Sequence, residues 1–270
     1  MKQLKNRYRY SFIILKQLVK SDFKIRYQNS VLGYLWTLLR PLFLFVILYL
    51  VFVKVLKTGG DIPHFGVYLL LGIVLWNYFV EVTNGSIQAI VAKGDLMRKV
   101  NFPRYVIILA GSFSALINLC LNLLVVSLFM MLGKAEPSSS AVLLPLLIIE
   151  LFVFSLALSF LLSAAYVRFR DLNFIWEVII QIAFYATPIL YAFSFIAEKS
   201  ELAAKILIAS PLAQIIQDAR HILITDKSAT IASVYSSKLA YLIPLSVVAL
   251  TTIAAVVYFK KQAPSFAENV

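Results

Sequence analysis

The chain has few of the residues on which soluble enzymes most often build their chemistry. Its one cysteine, Cys120, excludes an internal disulfide bond and any metal cluster made from cysteines. Its two histidines, His64 and His221, lie far apart in the sequence, and no metal site is predicted. Charged residues make up 14% of the 270 residues, well below the usual share of about 25% in soluble domains. This scarcity argues against an ordinary cytosolic enzyme and against a disordered polymer.

Motifs for nucleotide binding and for catalysis are also missing. The sequence contains no GxxxxGK[ST] phosphate loop, no HExxH or GxSxG motif and no paired-carboxylate motif. The chain is therefore not expected to bind ATP through a phosphate loop or to act as an enzyme, and no cofactor is predicted for it.

Apolar residues are abundant and the net charge is strongly positive. Hydrophobic residues make up 61% of the chain, the mean hydropathy is +0.87 and the formal net charge is +12. A nucleic-acid-binding protein would spread its basic charge over a polar surface, so no nucleic-acid partner is expected. The combination predicts an all-α membrane protein with several spans.

Six segments are apolar for about the 20 residues that a membrane-spanning helix needs. They are residues 35–56, 65–92, 105–132, 141–167, 174–197 and 239–259. The second is apolar to residue 82 and is expected to continue as a more polar helix. No soluble domain fits between the spans, so residues 1–270 are predicted to form a single transmembrane domain.

The basic residues predict the orientation of these spans. An even number of spans places both termini on one side, and that side then holds 17 of the 25 Lys and Arg residues. The positive-inside rule makes it the cytoplasmic side. The N-terminal segment is not predicted to be a signal peptide, because Lys16, Lys20 and Lys24 interrupt it.

Two further segments are predicted to lie at the membrane without crossing it. Residues 8–27 place apolar and basic side chains on parallel stripes, which is typical of a helix lying in the cytoplasmic interface. A simple juxtamembrane anchor is the alternative. Residues 203–224 contain two short apolar runs split by Ser210 and Pro211, which predicts an outer re-entrant segment.

Aromatic residues, 14% of the chain, suggest a path for a polymer. Those near span ends fit an interfacial belt. Others lie deeper in the first and fifth spans, where aromatic faces would stack on sugar rings, although lipid-facing packing is the alternative for any one of them. The predicted channel residues are Phe43, Phe45, Tyr49, Phe184, Tyr185 and Tyr191.

Three stretches in order along the chain carry a family resemblance. The first contains Lys24, Arg26, Tyr27, Ser30, Leu32, Gly33, Leu35, Trp36, Arg40 and Pro41. The second contains Lys99, Phe102, Pro103 and Arg104, and the third contains Arg170, Asp171, Leu172, Thr187, Pro188, Ile189 and Tyr191. Through these residues the chain resembles the permease subunits of ABC exporters for polysaccharides and polyol phosphates, which include the teichoic acid and O-antigen exporters. It departs from the family pattern at Ser210-Pro211, where the family carries Asn-Pro, and it keeps Arg220.

The resemblance implies a half-transporter in the bacterial inner membrane. Two copies of the chain would form a channel, and two copies of a separate ATPase subunit would bind ATP and Mg²⁺. The substrate would be a glycan or a polyol-phosphate polymer linked to a polyprenyl diphosphate, among membrane lipids. Residues implied to contact the ATPase are Lys93, Arg98, Lys99, Phe102, Pro103, Arg104, Arg168, Arg170 and Asp171.

A lipid diphosphate needs basic groups at the inner interface. Lys20, Lys24, Arg26 and Arg40 are the candidates, and Tyr27 and Trp36 lie beside them at the predicted gate. Each basic group is equally able to bind an ordinary anionic lipid.

Three other function classes remain open at this point. An ABC exporter for drugs or lipids would have the same six spans and no ATPase of its own. A membrane-embedded transferase would need polar catalytic groups clustered in one cavity, and none is visible in the sequence. A channel or secondary transporter would work without ATP and often contains an internal repeat, and no convincing repeat is present.

Overall fold

The computed structural model describes residues 2–27, 33, 35–55, 62–99, 102–263 and 266, and these residues contain helices and no strand. The α-helices are α1 (Lys2–Tyr27), α2 (Leu35–Tyr49), α3 (Phe65–Ile87), α4 (Ala89–Ala92), α5 (Gly94–Lys99), α6 (Tyr105–Gly133), α7 (Leu144–Arg168), α8 (Leu172–Ala186), α9 (Ser194–Ala197), α10 (Glu201–Ile208), α11 (Pro211–Leu223), α12 (Ile231–Tyr235) and α13 (Leu242–Gln262). A π-helix, Leu50–Val55, extends α2, and the 3₁₀ helices Ser139–Leu143 and Lys238–Tyr241 precede α7 and α13.

Helix α3 lies at the centre of the fold. In its most apolar stretch 78% of the residues are buried, whereas the corresponding share is 11–28% in the other long apolar helices. Helices α2, α6, α7, α8 and α11 all pack against it. Because the first three turns of α3, residues 65–75, are apolar on every side, burial among other helices is their expected environment. The surrounding helices expose broad apolar faces, as expected of a protein whose outer surface meets lipid.

Among the described residues, five helical segments are long and apolar enough to cross a membrane, or six if the bent pair α10 and α11 counts as one span. The five are Leu35–Phe52, Phe65–Ile87, Tyr105–Gly133, Ser139–Arg168 and Lys238–Gln262. These segments confirm the helices predicted at the first, second, third, fourth and sixth spans. The second, predicted to continue to residue 92, breaks at Gln88 before α4 resumes.

The prediction of a continuous fifth span over residues 174–197 is wrong. Helix α8 ends at Ala186, and Thr187 is extended with φ −74° and ψ 135°. Pro188 explains the break, since proline disfavours the helical conformation in the preceding residue and has no N–H to donate. The chain nevertheless follows α3 closely. Gln88 donates to Asn173 at 3.4 Å, and Ile189 lies beside Gly72. Between Gln88 and Gly72, α3 rises about 24 Å.

Helices α10 and α11 form the bent pair that was predicted within residues 203–224. They meet at Ala209–Ser210 with an angle of 93° between them. Pro211 occupies the first turn of α11, where its missing N–H costs nothing. Every residue of α11 except His221 is buried. The pair is therefore an integral part of the fold rather than a loop on its surface.

Helix α1 includes the whole of the predicted segment 8–27 and packs along α6. Leu18 is buried in a cluster with Phe102, Val106, Ile107 and Ala110. The ammonium of Lys93 also pairs with Asp22 at 2.9 Å. Helix α1 is thus attached both to the start of α6 and to the segment before α5.

Replacing Leu18 with alanine should loosen α1 from α6. Removing a buried leucine side chain costs about 2–5 kcal/mol, so hydrogen exchange at residues 9–24 should accelerate by at least about tenfold. Hydrogen–deuterium exchange with mass spectrometry on the purified full chain measures this directly. The matched control is Ile13→Ala, because Ile13 is 55% exposed on the same helix. Equal exchange in the two variants would contradict the packing described here.

Candidate functional site

The guanidinium of Arg220 is completely buried at the junction of α11, α3 and the chain that follows α8. Its Nε donates to the carbonyl of Tyr68 at 3.1 Å. Its two terminal nitrogens donate to the carbonyls of Pro188 at 2.5 Å and Ile189 at 2.8 Å. The guanidinium also stacks on the ring of Tyr68, with its carbon 3.5 Å from the ring centroid.

The bonds to the carbonyls of Pro188 and Ile189 satisfy backbone groups that the break leaves without helical partners. Non-helical backbone at membrane depth persists where it is buried in protein and hydrogen-bonded. Arginine suits this position because its five N–H donors have a fixed, planar arrangement that reaches several carbonyls at once. Arg220 therefore joins α11, α3 and the turn after α8.

Tyr191 provides a hydrogen-bond donor to backbone carbonyls on the α8 side of the same break. Its hydroxyl donates to the carbonyls of Tyr185 at 3.1 Å and Ala186 at 2.9 Å, in the last turn of α8. Helix C-termini leave such carbonyls without intrahelical partners.

Helix α11 buries further polar side chains. Gln214 donates to Asp218 at 2.5 Å, and the hydroxyl of Tyr241 donates to the other carboxylate oxygen at 3.4 Å. Gln217 donates to the carbonyl of Pro188 at 3.5 Å. These bonds connect α11 to the start of α13 as well as to the break after α8. The polar side of α11 faces protein partners rather than solvent.

A cavity of about 910 Å³, lined by both polar and apolar side chains, lies between α2, α3 and α6. It adjoins the N-terminal end of α2 and the C-terminal end of α3, which are the predicted cytoplasmic ends of these helices. We call it the inner cavity. Its lining includes Trp36, Thr37, Arg40, Pro41, Asn77, Tyr78, Glu81, Asn84, Gly85, Asn118 and Asn122.

A second cavity, of about 790 Å³, lies at the opposite end of α3, and we call it the outer cavity. It adjoins the turn after α8 and the loop between α11 and α12. Aromatic and polar side chains share its lining, which includes Phe52, Tyr68, Tyr191, Phe193, Phe195, Glu198, Gln217, Lys227, Ser228 and Ser233. Aromatic faces with nearby hydroxyl, amide and charged groups suit a polar ligand that also presents apolar faces.

No group of three or more His, Cys, Asp and Glu side chains is placed to hold a metal ion in the part of the chain that the structure describes.

The predicted channel aromatics occupy different environments. Phe43 and Tyr185 are exposed, at 56% and 64% of their surface. Phe45 lies in the core, with its ring 5.6 Å from that of Phe129, and Tyr49 packs beside it at 5.7 Å. Phe184 contacts Trp76, with 5.6 Å between ring centroids. Within one copy of the chain the six residues do not form a single surface.

The predicted head-group residues divide between α1 and the inner cavity. Lys20 and Lys24 are exposed on α1. Trp36 and Arg40 are exposed on α2 and line the inner cavity. The side chains of Arg26 and Tyr27 lie outside the described residues, as do Ser30 and Leu32 of the first family-like stretch.

The predicted ATPase-contact residues include both surface and buried positions. Those exposed are Arg98, Lys99, Arg168, Arg170 and Asp171. Phe102 is buried at 8% exposure against α1, and Lys93 is held by Asp22. Pro103 lies in the turn before α6, and Arg104 is placed over the ring of Phe266 at 5.8 Å. Phe102 therefore anchors the turn, while Arg98 and Lys99 lie on the surface beside it.

Sequence reasoning did not identify two groups of residues that the structure brings together. The first is the polar side of α11, which was predicted to be a re-entrant segment with no assigned contacts. The second is the polar face that α3 and α6 present to the inner cavity. Its signal was present in the sequence, because Asn77, Glu81 and Asn84 recur at helical spacing and Asn118 and Asn122 are four residues apart.

Comparisons with known proteins agree on one family. A family model described as ABC-2 type transporter matches residues 14–224. The chain is 34% identical over 196 residues to the O-antigen export system permease protein RfbA of Myxococcus xanthus, covering 72% of this chain and 73% of that protein. It is 33% identical over 208 residues to a protein of the same name from Klebsiella pneumoniae, covering 77% and 78%.

Replacing Gly72 with alanine should destabilise the chain through Arg220. A Cβ atom at Gly72 would collide with the guanidinium of Arg220, whereas one at Gly111 would meet no atom within 4 Å. Alanine raises helix propensity by about 1 kcal/mol over glycine, so a loss of stability would have to come from the collision. We expect Gly72→Ala to lower the melting temperature in detergent by several degrees, about the effect of 1–3 kcal/mol.

Gly111→Ala is the matched control and should melt at or above the wild-type temperature. Combining Gly72→Ala with Arg220→Lys should cost less than the sum of the two single effects, because both disturb the same contacts. A Gly72→Ala variant as stable as the control would contradict the role given to Arg220.

Proposed function

The chain belongs to the ABC-2 type transporter family, and we propose that it is the membrane subunit of an ATP-driven exporter of a lipid-linked polysaccharide. The observation that carries the proposal is the similarity, over about three quarters of each chain, to permeases named for O-antigen export. A teichoic-acid-type polymer is the other polymer class that we include. The export direction is out of the cytoplasm across the inner membrane of a bacterium.

The energy for export comes from a separate ATPase subunit in this proposal. The sequence lacks a phosphate loop, so ATP and Mg²⁺ bind to the partner. Two copies of this chain and two ATPase subunits form the complex. The exposed apolar faces of α2 and α8 support the contact between the two copies. They include Phe43 and Ile47 on α2, and Ile175, Ile182 and Tyr185 on α8.

Contact with the ATPase occurs at α5 and at the turn between α7 and α8. Arg98 and Lys99 are exposed at the end of α5. The adjoining turn is fixed to α1 by Phe102 and Leu18, and the Lys93–Asp22 pair adds a second attachment. A push on α5 therefore passes to α1 and α6 together. Because Pro103 restricts the residue before it to extended conformations, the turn itself is stiff enough to transmit the motion.

The polymer passes between the two copies along exposed aromatic side chains. Phe43 on α2 and Tyr185 on α8 are the predicted channel residues that remain exposed in one copy. Tyr191 and Phe195 line the outer cavity beside the end of α8. Aromatic faces offer stacking surfaces that do not bind one sugar unit strongly, so a chain of sugars can slide past them.

Both chain termini lie in the cytoplasm in this arrangement. The positive-inside rule favours that orientation, since the same side then holds most of the basic residues. Lys20 and Lys24 on α1 face the anionic head groups of the inner leaflet, and α1 lies along the interface. The lipid diphosphate of the substrate enters from the same side, where these basic groups attract it.

The proposal predicts how ATP hydrolysis by the reconstituted complex responds to substrate. Polyprenyl diphosphate carrying the cell's own glycan should stimulate the ATPase, and hydrophobic drugs should not. Lys99→Glu should reduce this stimulation by about fivefold, because an acidic side chain reverses the charge at the contact with the ATPase. The control Lys260→Glu changes an exposed lysine at the same predicted side, at the end of α13, and should keep the wild-type response.

Stimulation by drugs without stimulation by the glycan would contradict the proposal and favour a drug or lipid exporter. An equal loss in both lysine variants would contradict the placement of the ATPase on α5.

A further inference from the structure

The lining of the inner cavity combines apolar side chains, among them Leu44, Val74, Val80 and Leu119, with five amide and carboxylate side chains. Asn77 and Glu81, with Asn84 one turn further on, form a stripe along α3. Asn118 and Asn122 form a second stripe on α6. Polar side chains at membrane depth are costly, and they are retained where they serve a function. Packing between the two helices would be achieved at lower cost by small or apolar residues.

The two stripes lie side by side on one wall of the cavity and are in direct contact. The amide of Asn118 donates to the carboxylate of Glu81 at 2.9 Å, and the amide of Asn122 donates to the carbonyl of Asn118 at 2.8 Å. These bonds fix the orientation of Asn118, whose side chain is 4% exposed. The remaining hydrogen-bonding capacity of the stripes is therefore held in a defined geometry.

Two buried oxygen atoms in the cavity wall have no hydrogen-bond partner within the described part of the chain. They are the amide oxygen of Asn118 and the hydroxyl oxygen of Tyr78, whose side chain is 2% exposed. Buried polar atoms in native proteins are almost always paired, by protein, water or ligand. Both atoms have almost no accessible surface, so they lie behind the wall of the cavity and add buried polar groups to that wall.

The mouth of the cavity differs chemically from its interior. Arg40 and Trp36 are exposed on α2, at the predicted inner interface. Arginine is well suited to bind phosphate oxygens because its donors match their geometry. The interior contains amides and one carboxylate, which offer donors and acceptors side by side. Sugar hydroxyl groups require this mixture, since each hydroxyl both donates and accepts.

The volume of about 910 Å³ lies in the upper part of the range for small-molecule sites. It therefore has room for a sugar ring together with a phosphate group at the mouth. A purely apolar ligand would offer no partner to the polar side chains of the lining, and a free anion would meet the carboxylate of Glu81 in the interior.

We propose that the inner cavity binds the sugar residue next to the diphosphate of the lipid-linked substrate. Arg40 contacts the diphosphate at the mouth, Trp36 stacks on the sugar, and the asparagines with Glu81 bind its hydroxyl groups. This site selects lipids that carry a sugar over the bare lipid carrier, before the polymer enters the channel. The inference rests on the proposed function and adds to it a site for the first sugar.

Gly85 provides a direct way to test the site. It lies in the cavity wall, and a Cβ atom there would meet no atom within 4 Å. Gly85→Leu should therefore fill part of the cavity without disturbing the packing of α3. Gly111→Leu is the matched control, because Gly111 is equally unobstructed on α6 but is not part of the lining.

A second variant, Asn122→Ala, removes one amide and leaves the cavity open. Its control is Ser127→Ala on the same helix.

The experiment measures binding of four probes to the complete complex in lipid nanodiscs. The probes are polyprenyl diphosphate without sugar and the same lipid carrying glucose, galactose or N-acetylglucosamine. The wild-type complex should bind at least one sugar-bearing lipid more tightly than the bare lipid. Gly85→Leu and Asn122→Ala should weaken binding of that lipid by about tenfold, the effect of losing one or two hydrogen bonds. Their binding of the bare lipid should stay within about twofold of wild type.

Three results would overturn the inference. The first is no preference for any sugar-bearing lipid in the wild-type complex. The second is unchanged binding in both cavity variants, and the third is an equal loss for the bare and the sugar-bearing lipids. If any of these occurred while the complex still exported glycan in response to ATP, the proposed function would stand and the sugar site alone would be rejected. Absence of export by the wild-type complex would instead reject the function.

Discussion

The fold depends on how the chain accommodates a break in its fifth apolar segment. Pro188 ends the helical hydrogen bonding after α8 and leaves carbonyl groups at membrane depth. Arg220 donates to the carbonyls of Pro188 and Ile189 from α11, and it also holds Tyr68 on α3. Because the cost of leaving such carbonyls unpaired in a membrane is high, the position of α11 follows from the break. The outer helix pair and the outer cavity are built around this contact.

The opposite end of the molecule is organised around a second attachment. Phe102 and Leu18 bind the turn before α6 to α1, and Asp22 holds Lys93. Helix α1 is therefore attached on both sides of α5, the proposed ATPase contact. Helix α3 extends from this region to Tyr68, so the same central helix connects the two ends of the fold.

Much of the fold was predictable because apolar length and charge distribution are strong signals in membrane proteins. The helices at five of the six predicted spans follow from hydropathy alone, and the split at Pro211 was visible as a proline between two apolar runs. The fifth span was mispredicted because hydropathy does not register a proline within an apolar run. The partners of Arg220 were not predictable, since they are carbonyls contributed by residues far away in the sequence.

The candidate site was harder to predict for a related reason. A residue type such as phenylalanine indicates burial in membrane or protein equally well, so Phe45 and Phe102 could not be assigned to a surface from the sequence. The asparagines of α3 and α6 could be recognised in the sequence as polar stripes from their helical spacing. Their importance depends on the two stripes lying side by side on the wall of one cavity, which requires the tertiary structure.

The central claim is that the chain, with its ATPase partner, moves a lipid-linked glycan across the membrane in a process driven by ATP hydrolysis. Inverted inner-membrane vesicles containing the complete complex test it most directly, with a labelled lipid-linked glycan placed on their outer leaflet. The account predicts that ATP, and not ADP, moves the glycan inside, where an added glycosidase cannot degrade it. Continued degradation of the glycan while the complex hydrolyses ATP normally would contradict the account.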